Sequence, residues 1–105
     1  MSLNKQITST VTDAGKLEIA ITESARPIPG DDEVLIQIEA TPINPSDLGL
    51  LIGPGDINTL KTEDSKIIMD VPKAIMGAMK PRLNKPMPVG NEGSGVVIEL
   101  SLIHI

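Results

Sequence analysis

The sequence contains no cysteine, phenylalanine, tyrosine or tryptophan in its 105 residues. Without cysteine it cannot form disulfides, a thiolate nucleophile, or a sulfur-ligated zinc, haem or iron–sulfur site. Without aromatic side chains it has no stacking platform for single-stranded nucleic acid and no tyrosine proton donor. A single histidine, His104, also excludes a three-histidine zinc site. We therefore predict no metal site and a core of aliphatic side chains.

Positive charge is also scarce, because 9 Lys and Arg stand against 14 Asp and Glu, for a net charge of −5. Nucleic acids and anionic membranes attract proteins mainly through cations, so neither is a predicted partner. The sequence has no run of about eighteen apolar residues that would span a membrane. It also lacks the apolar segment of a signal peptide, which predicts a soluble, cytoplasmic protein.

The first half of the chain alternates apolar and polar residues, which predicts mainly β structure. Residues 6–12 and 17–23 are predicted to form an antiparallel hairpin around a turn at 13–16. Two prolines make residues 26–32 a connector rather than a strand. Residues 33–40 alternate most regularly and predict the next strand.

The second half contains weaker patterns. Ser46 is predicted to cap a short helical turn that ends at the Gly-Pro-Gly sequence of residues 53–55. Apolar residues at spacings of three and four then predict a helical turn near Ile67 and another that opens at Pro72.

Residues 81–88 are predicted to be extended, and residues 96–98 to form a final strand. The whole chain is therefore predicted as one domain with four or five strands and one or two short helical turns. This element order is typical of a small, partly open β-barrel.

Two motifs carry a resemblance to a known family. Residues 33–47 read Glu-Val-Leu-Ile-Gln-Ile-Glu-Ala-Thr-Pro-Ile-Asn-Pro-Ser-Asp, and residues 88–97 read Pro-Val-Gly-Asn-Glu-Gly-Ser-Gly-Val-Val. In this order and at this spacing they resemble the N-terminal, GroES-like domain of medium-chain dehydrogenases/reductases, over about residues 16–99. The resemblance implies a GroES-like barrel from an oxidoreductase that uses NADP or NAD and a small-molecule substrate.

Two positions indicate which branch of that family the chain resembles. Zinc-dependent alcohol dehydrogenases have cysteine where Asn44 stands and histidine where Asn91 stands, and an amide is a poor zinc ligand. The chain is therefore similar to zinc-free quinone oxidoreductases, which transfer a hydride to a quinone or an α,β-unsaturated carbonyl. Enoyl-thioester reductases share the first motif but carry a tyrosine near residues 53–55, where this chain has none.

The resemblance also implies a set of site residues. Asn44 and Asp47 would be catalytic, and Asn44 and Asn91 would contact the cofactor, with Glu92 behind Asn91 as a buried, hydrogen-bonded carboxylate. A structural alternative stays open for each pair. Asn44 and Asp47 would instead form an Asx turn and a helix N-terminal carboxylate, and the glycine-rich turn would serve only barrel geometry.

Family members continue with further barrel strands and a Rossmann cofactor domain, whereas residues 100–105 read Leu-Ser-Leu-Ile-His-Ile. We therefore expect a domain truncated after about residue 99, which neither binds NAD(P) nor reacts on its own. Exposed strand edges, in particular residues 96–103, are predicted to pair two copies into a homodimer. The alternative is a stand-alone GroES-like interaction module without catalysis, which would need a mobile loop within residues 53–64.

Overall fold

The computed structural model describes residues 3–100 and is mainly β, as predicted, with 49% strand and 19% helix. Its strands are β1 (Leu3–Val11), β2 (Lys16–Ala25), β3 (Val34–Ala40), β4 (Asp56–Glu63), β5 (Lys66–Asp70), β6 (Met87–Pro88) and β7 (Ser94–Leu100). Its helices are α1 (Pro45–Ile52) and α2 (Lys73–Met76), which continues into a 3-10 helix (Gly77–Arg82). None of the helices in this range has the length and apolar character needed to cross a bilayer.

The strands form two separate sheets. Five strands pair in the order β4-β5-β2-β1-β6, and β3 pairs only with β7. The sheets do not close into a barrel. The GroES-like, partly open barrel that the resemblance implies stays a prediction. The two sheets lie along a molecule of 54 × 27 × 24 Å with a radius of gyration of 16.6 Å, compared with about 13 Å for a compact domain of this length.

The predicted N-terminal hairpin is confirmed as β1 and β2. Its register places Ile7 opposite Ile21 and Val11 opposite Leu17. Gly15 occupies the turn with φ +78°, a conformation that glycine adopts without steric cost. The predicted connector at 26–32 and the strand at 33–40, observed as β3, are also confirmed.

The predicted helical turn near Ile67 is wrong, because this residue lies in β5. Strands β4 and β5 form a hairpin whose turn residues, Asp64 and Ser65, both have positive φ, as in a primed hairpin turn. Ile67 instead lies opposite Ile19 of β2. A short apolar run fits helix and strand spacing equally well, and the available edge of β2 decides between them.

The rest of the second half agrees in part with the prediction. Pro72 precedes α2, as expected of a residue that fixes φ before a helix. Residues 81–88 are less extended than predicted, because Pro81 and Arg82 end the 3-10 helix and only Met87 and Pro88 form strand. The last strand is confirmed, and as β7 it is longer than predicted.

The core is aliphatic, as the composition predicts. It consists of Val11, Leu17, Ile19, Met69 and Val71, from β1, β2, β5 and the residue after β5. Partly buried side chains from the helical segments and neighbouring strands pack against it: Leu51, Ile52, Ile67, Ile75, Met76, Met79 and Leu83. The helices thus cover the end of the large sheet at which the turn between β1 and β2 lies.

A polar contact fixes the same helices to β1. The Ser9 hydroxyl is fully buried, donates to the Leu51 carbonyl at 3.0 Å, and accepts from the Arg82 Nη2 at 3.1 Å. The guanidinium also reaches the Ser9 and Leu50 carbonyls at 3.5 Å, while its Nε has no partner. Partial burial lowers the pKa of Arg82, because the cation loses hydration.

Candidate functional site

The first motif ends in a capped helix. Asn44 is extended, with φ −100° and ψ 153°, and precedes Pro45, the first residue of α1. The Asp47 carboxylate accepts from the Asn44 backbone N–H at 2.9 Å, and the Asn44 carbonyl accepts from the Asp47 N–H at 2.9 Å. The predicted cap at Ser46 is therefore wrong, because Pro45 fixes the helical φ one residue earlier and leaves Asn44 as the cap.

The two motifs meet at one place in the structure. The Asn44 side-chain Nδ2 donates to the Glu92 Oε1 at 3.2 Å, although 48 residues separate them. Antiparallel pairing of β3 with β7 explains this contact. Ala40 at the end of β3 lies opposite Ser94 at the start of β7, so the loop after β3 and the loop before β7 lie side by side.

A shallow groove of about 600 Å³ opens between these loops. Its lining residues are Ala40, Thr41, Pro42, Asn91, Glu92, Gly93 and Ser94. Asn91 and Glu92 are both exposed. The expectation that Glu92 is buried is therefore wrong, because the loop that carries it lies at an open edge between strands. The expectation that the Glu92 carboxylate is hydrogen-bonded is confirmed by its contact with Asn44.

Two glycines of the second motif have a packing role. A Cβ at Gly95 would lie 2.0 Å from the Gln37 carbonyl oxygen, which no side chain could relieve without moving the backbone. A Cβ at Gly93 would lie 3.3 Å from both Ile38 and Thr41. These positions let β7 approach β3 closely, which is the structural alternative that the sequence left open for the glycines.

The site is rich in hydrogen-bonding groups and poor in cations. Asn44 is held on its backbone by Asp47 and on its side chain by Glu92, beside the groove that Asn91 lines. Asn91 offers an exposed amide, and among residues 3–100 no Lys or Arg lines the groove. Such an arrangement can orient a carbonyl or carboxamide group, but it offers no cation for a phosphate.

In residues 3–100, no group of three His, Asp or Glu side chains comes together in a way that would hold a metal ion. The roles of Asn44, Asp47 and Asn91 in catalysis and cofactor contact stay predictions. The structure brings Asn44, Asp47 and Glu92 into one hydrogen-bonded set and places Asn91 beside them on the groove wall.

Sequence reasoning missed a second, larger cleft of about 780 Å³ between the two sheets. Its apolar walls include Ile7 and Ile21 from the large sheet and Ile36 and Ile38 from β3. The hairpin pattern contained the signal. Ile7 lies four residues before the core residue Val11, and Ile21 lies two residues after the core residue Ile19, so each shares a strand face with a core residue. Ile7 and Ile21 line a cleft because of where β3 lies, and the alternating pattern does not specify the position of β3.

Comparison with known proteins adds no identification. No protein-family profile matches the sequence, and no curated protein matches it at a significant level.

Proposed function

We propose that the chain is the substrate-side domain of an NAD(P)H-dependent, zinc-independent oxidoreductase of the quinone oxidoreductase type. The observation that carries this proposal is the hydrogen bond between Asn44 and Glu92. It joins the two motifs on which the resemblance rests, at the strand ends where that resemblance requires a shared cleft. A GroES-like origin for the two open sheets, and a cytoplasmic location, belong to the same proposal.

Asn44 and Asn91 are the residues proposed to contact a ligand. The Asn91 amide N–H would donate to the carbonyl of a quinone or enone, and the two amides together would hold a nicotinamide carboxamide, which both donates and accepts, in a fixed orientation. Asp47 contributes by holding the Asn44 backbone N–H and so fixing the loop. The hydride chemistry is supplied by the nicotinamide when bound, and this chain provides orientation.

The groove fits only part of such a cofactor. Its amides suit a carboxamide, but without a lining Lys or Arg it has nothing to balance the charge of a pyrophosphate. A separate dinucleotide-binding domain would have to provide that contact. The rate of NADPH or NADH oxidation in the presence of the 105-residue chain alone is therefore expected to equal the background rate in buffer.

A ligand titration followed by NMR tests the proposal. A small quinone should shift the backbone amide signals of residues 41–48 and 89–95 and leave those of β4 and β5 unchanged. Asn91→Ala should abolish the shifts without unfolding the protein, because this side chain is exposed. Asn58→Ala, at an exposed position in β4 far along the chain, is the matched control and should retain them.

Shifts that are absent from both loops, or that survive in Asn91→Ala, would contradict the proposed site. A measurable rate of NAD(P)H oxidation by the chain alone would contradict the proposed division of labour between two domains. These two results are independent, so the site and the domain arrangement can fail separately.

The alternative is a stand-alone interaction module without catalysis, which would need a mobile loop. Residues 53–64, the only segment proposed as a mobile loop, contain β4, which pairs with β5 over Lys61 to Glu63. A ring assembly detected by light scattering would nevertheless favour that module over the oxidoreductase domain.

A further inference from the structure

The cleft between the two sheets is bounded by strand edges as well as by strand faces. It touches four successive residues of β1, residues 4–7, and four successive residues of β3, residues 35–38. Neighbouring side chains of a strand point to opposite faces, so a cleft lined by every residue of a stretch reaches the backbone of that strand. Residues from both faces of β3, such as Ile36 and Gln37, therefore border the same space.

The edge of β1 at this cleft has no ladder partner among residues 3–100. On one side β1 pairs with β2 along its whole length, but on the other it pairs with β6 only at Thr8 and Ser9. Val89, the residue after β6, lines the cleft, so the cleft begins where β6 leaves β1. Alternate N–H and C=O groups of a strand point away from each partner. Residues 4–7 therefore present main-chain groups that are open to a further strand.

We propose that this cleft binds an extended peptide segment of another protein, which pairs with β1 where β6 leaves it and packs against β3 on its other side. Main-chain hydrogen bonds to the edge provide the affinity in such strand addition, and alternate side chains provide the specificity. This inference goes beyond the proposed function and does not depend on it, because residues 4–7 do not line the groove of the candidate site. It also uses a different edge from the predicted pairing through residues 96–103.

The apolar walls of the cleft suit alternate side chains of such a segment. Ile7 of β1 lies opposite Ile21 of β2, on the face that also carries the core residue Val11. Ile36 and Ile38 of β3 line the other side. A peptide paired with β1 would place every second side chain on the face of Ile7 and Ile21, where burial of apolar surface would add to the hydrogen bonds. A small apolar molecule could cover the same walls but would leave the main-chain groups of the edge unpaired.

The charges of the cleft disfavour a basic segment. Its charged lining residues are Lys5 and Arg26, and no Asp or Glu lines it among the residues that the structure describes. Each cation has an acid close by. Lys5 lies opposite Glu23 in the ladder of β1 and β2, and Arg26 pairs with Glu99 at 3.1 Å. Because cations line the cleft and acids stand behind them, we expect the bound segment to be neutral or weakly acidic.

The far edge of the large sheet is less suited to strand addition. The pairing of β4 with β5 is interrupted between Asp56 and Lys61, and Lys61 lies on this edge strand. Register irregularities and lysines are features that protect sheet edges from further pairing. Strand β4 therefore provides the control position in the test.

The test is hydrogen exchange of the full chain, followed by NMR, with the blocked probe peptide acetyl-Glu-Val-Thr-Val-Thr-Val-Glu-amide. At about ten times the dissociation constant, the probe should slow exchange of alternate amides within residues 4–7 by about 10-fold, because exchange then requires its release. The signals of residues 35–38 should shift, since these residues form the other wall. Exchange in β4 should not change.

Two modified probes separate strand pairing from apolar contact. One carries N-methyl groups on its three valines and the other on its two threonines, so each lacks the N–H groups that point to one of its two edges. The version that is methylated on the edge facing β1 should lose binding. Because these probes are used with the wild type, this measurement stands even where a variant fails to fold.

Two matched variants locate the bound probe. Ile21→Glu places a charge on the wall of the cleft at a side chain that is 68% exposed, and should weaken binding by about 10-fold or more. Ile57→Glu makes the same change in β4 at a side chain that is 61% exposed, and should bind the probe as the wild type does. Circular dichroism should show both variants folded.

Three results would overturn the proposal. They are unchanged exchange in residues 4–7, equal binding of the methylated and unmethylated probes, and loss of binding in Ile57→Glu but not in Ile21→Glu. The second result would indicate apolar contact without strand pairing, and the third would indicate addition at β4. Exchange in residues 4–7 that slows with protein concentration and without a probe would assign the edge to a second copy of this chain instead.

Discussion

Two regions of the molecule use similar residues in opposite surroundings. At the turn end of the β1–β2 hairpin, Val11 and Leu17 are fully buried. In the β3–β7 ribbon, Val97 and Leu100 are 49% and 47% exposed. Both regions are antiparallel pairs with alternating apolar residues, so the strand pattern alone does not determine burial.

The difference lies in what packs on each sheet. The hairpin carries α1, α2 and the 3-10 helix on its apolar side, and the Ser9 to Arg82 contact fixes helical segments there. Within residues 3–100, no comparable layer buries the apolar side chains of the β3–β7 ribbon, which stay about half exposed. Hydrophobic stabilisation depends on the area that leaves water, so the hairpin end should contribute most of the stability and the ribbon little.

The largest expected effect comes from truncating one leucine in each region. Leu17→Ala should destabilise the protein by about 2–5 kcal/mol, because it removes a fully buried side chain and leaves a cavity. Leu100→Ala should cost less than about 1 kcal/mol, because its side chain already contacts water. Urea unfolding at a concentration low enough to keep the protein monomeric measures both.

Equal losses in Leu17→Ala and Leu100→Ala would show that the ribbon is covered in the monomer, and would remove the contrast between the regions. A larger cost for Leu100→Ala that appears only at high protein concentration would instead indicate that two copies associate through the ribbon.

A smaller effect is expected from the polar contact that fixes the helices. Ser9→Ala should cost about 1–3 kcal/mol, since it leaves the Leu51 carbonyl without its donor and removes one acceptor of a partly buried guanidinium. Ser24→Ala, at an exposed position of the neighbouring strand, should change the free energy of unfolding by less than about 0.5 kcal/mol. Chemical denaturation of the two variants provides the comparison.

If Ser9→Ala were as stable as Ser24→Ala, the helical segments would be held by apolar packing alone. In that case Arg82→Lys should also be neutral, because the guanidinium contacts would contribute nothing measurable.

The sequence was informative where a signal is local. The hairpin, β3, the connector and β7 follow from alternation, turn glycine and proline, all of which act within a few residues. The contact between the two motifs could be anticipated only from the resemblance. Its cause is the Ala40 to Ser94 pairing, a long-range register that alternation does not encode.

The failures have the opposite origin. Ile67 was predicted to be helical because its neighbours fit both periods, and pairing with Ile19 of β2 decided the outcome. The resemblance implied a buried Glu92, but no further layer covers that loop among the described residues, where Glu92 is exposed. The position of one sheet relative to the other depends on packing between the sheets, which no short pattern in this chain specifies.

The smallest expected effect is a pH dependence at the hairpin end. Lys16 of β2 lies opposite Asp70 of β5, and the hydrogen bond from Lys16, together with the charge of Lys16, lowers the pKa of Asp70 below its usual value of 3.8. A lowered carboxyl pKa adds stability above the unfolded value, and this is lost as the pH falls through the folded pKa. Both side chains are about half exposed, so the contribution is small and screened by salt.

Asp70→Asn should therefore be slightly less stable than the wild type at neutral pH, and the difference should shrink as the pH falls below about 4. Lys16→Gln should produce the same change, and the double variant should add nothing further, because both substitutions remove one interaction. Thermal unfolding between neutral and acidic pH, repeated at high salt, measures this cycle. If the difference grew on acidification, the Asp70 carboxyl would favour its protonated form in the folded state, and the hairpin end would gain nothing from the pair.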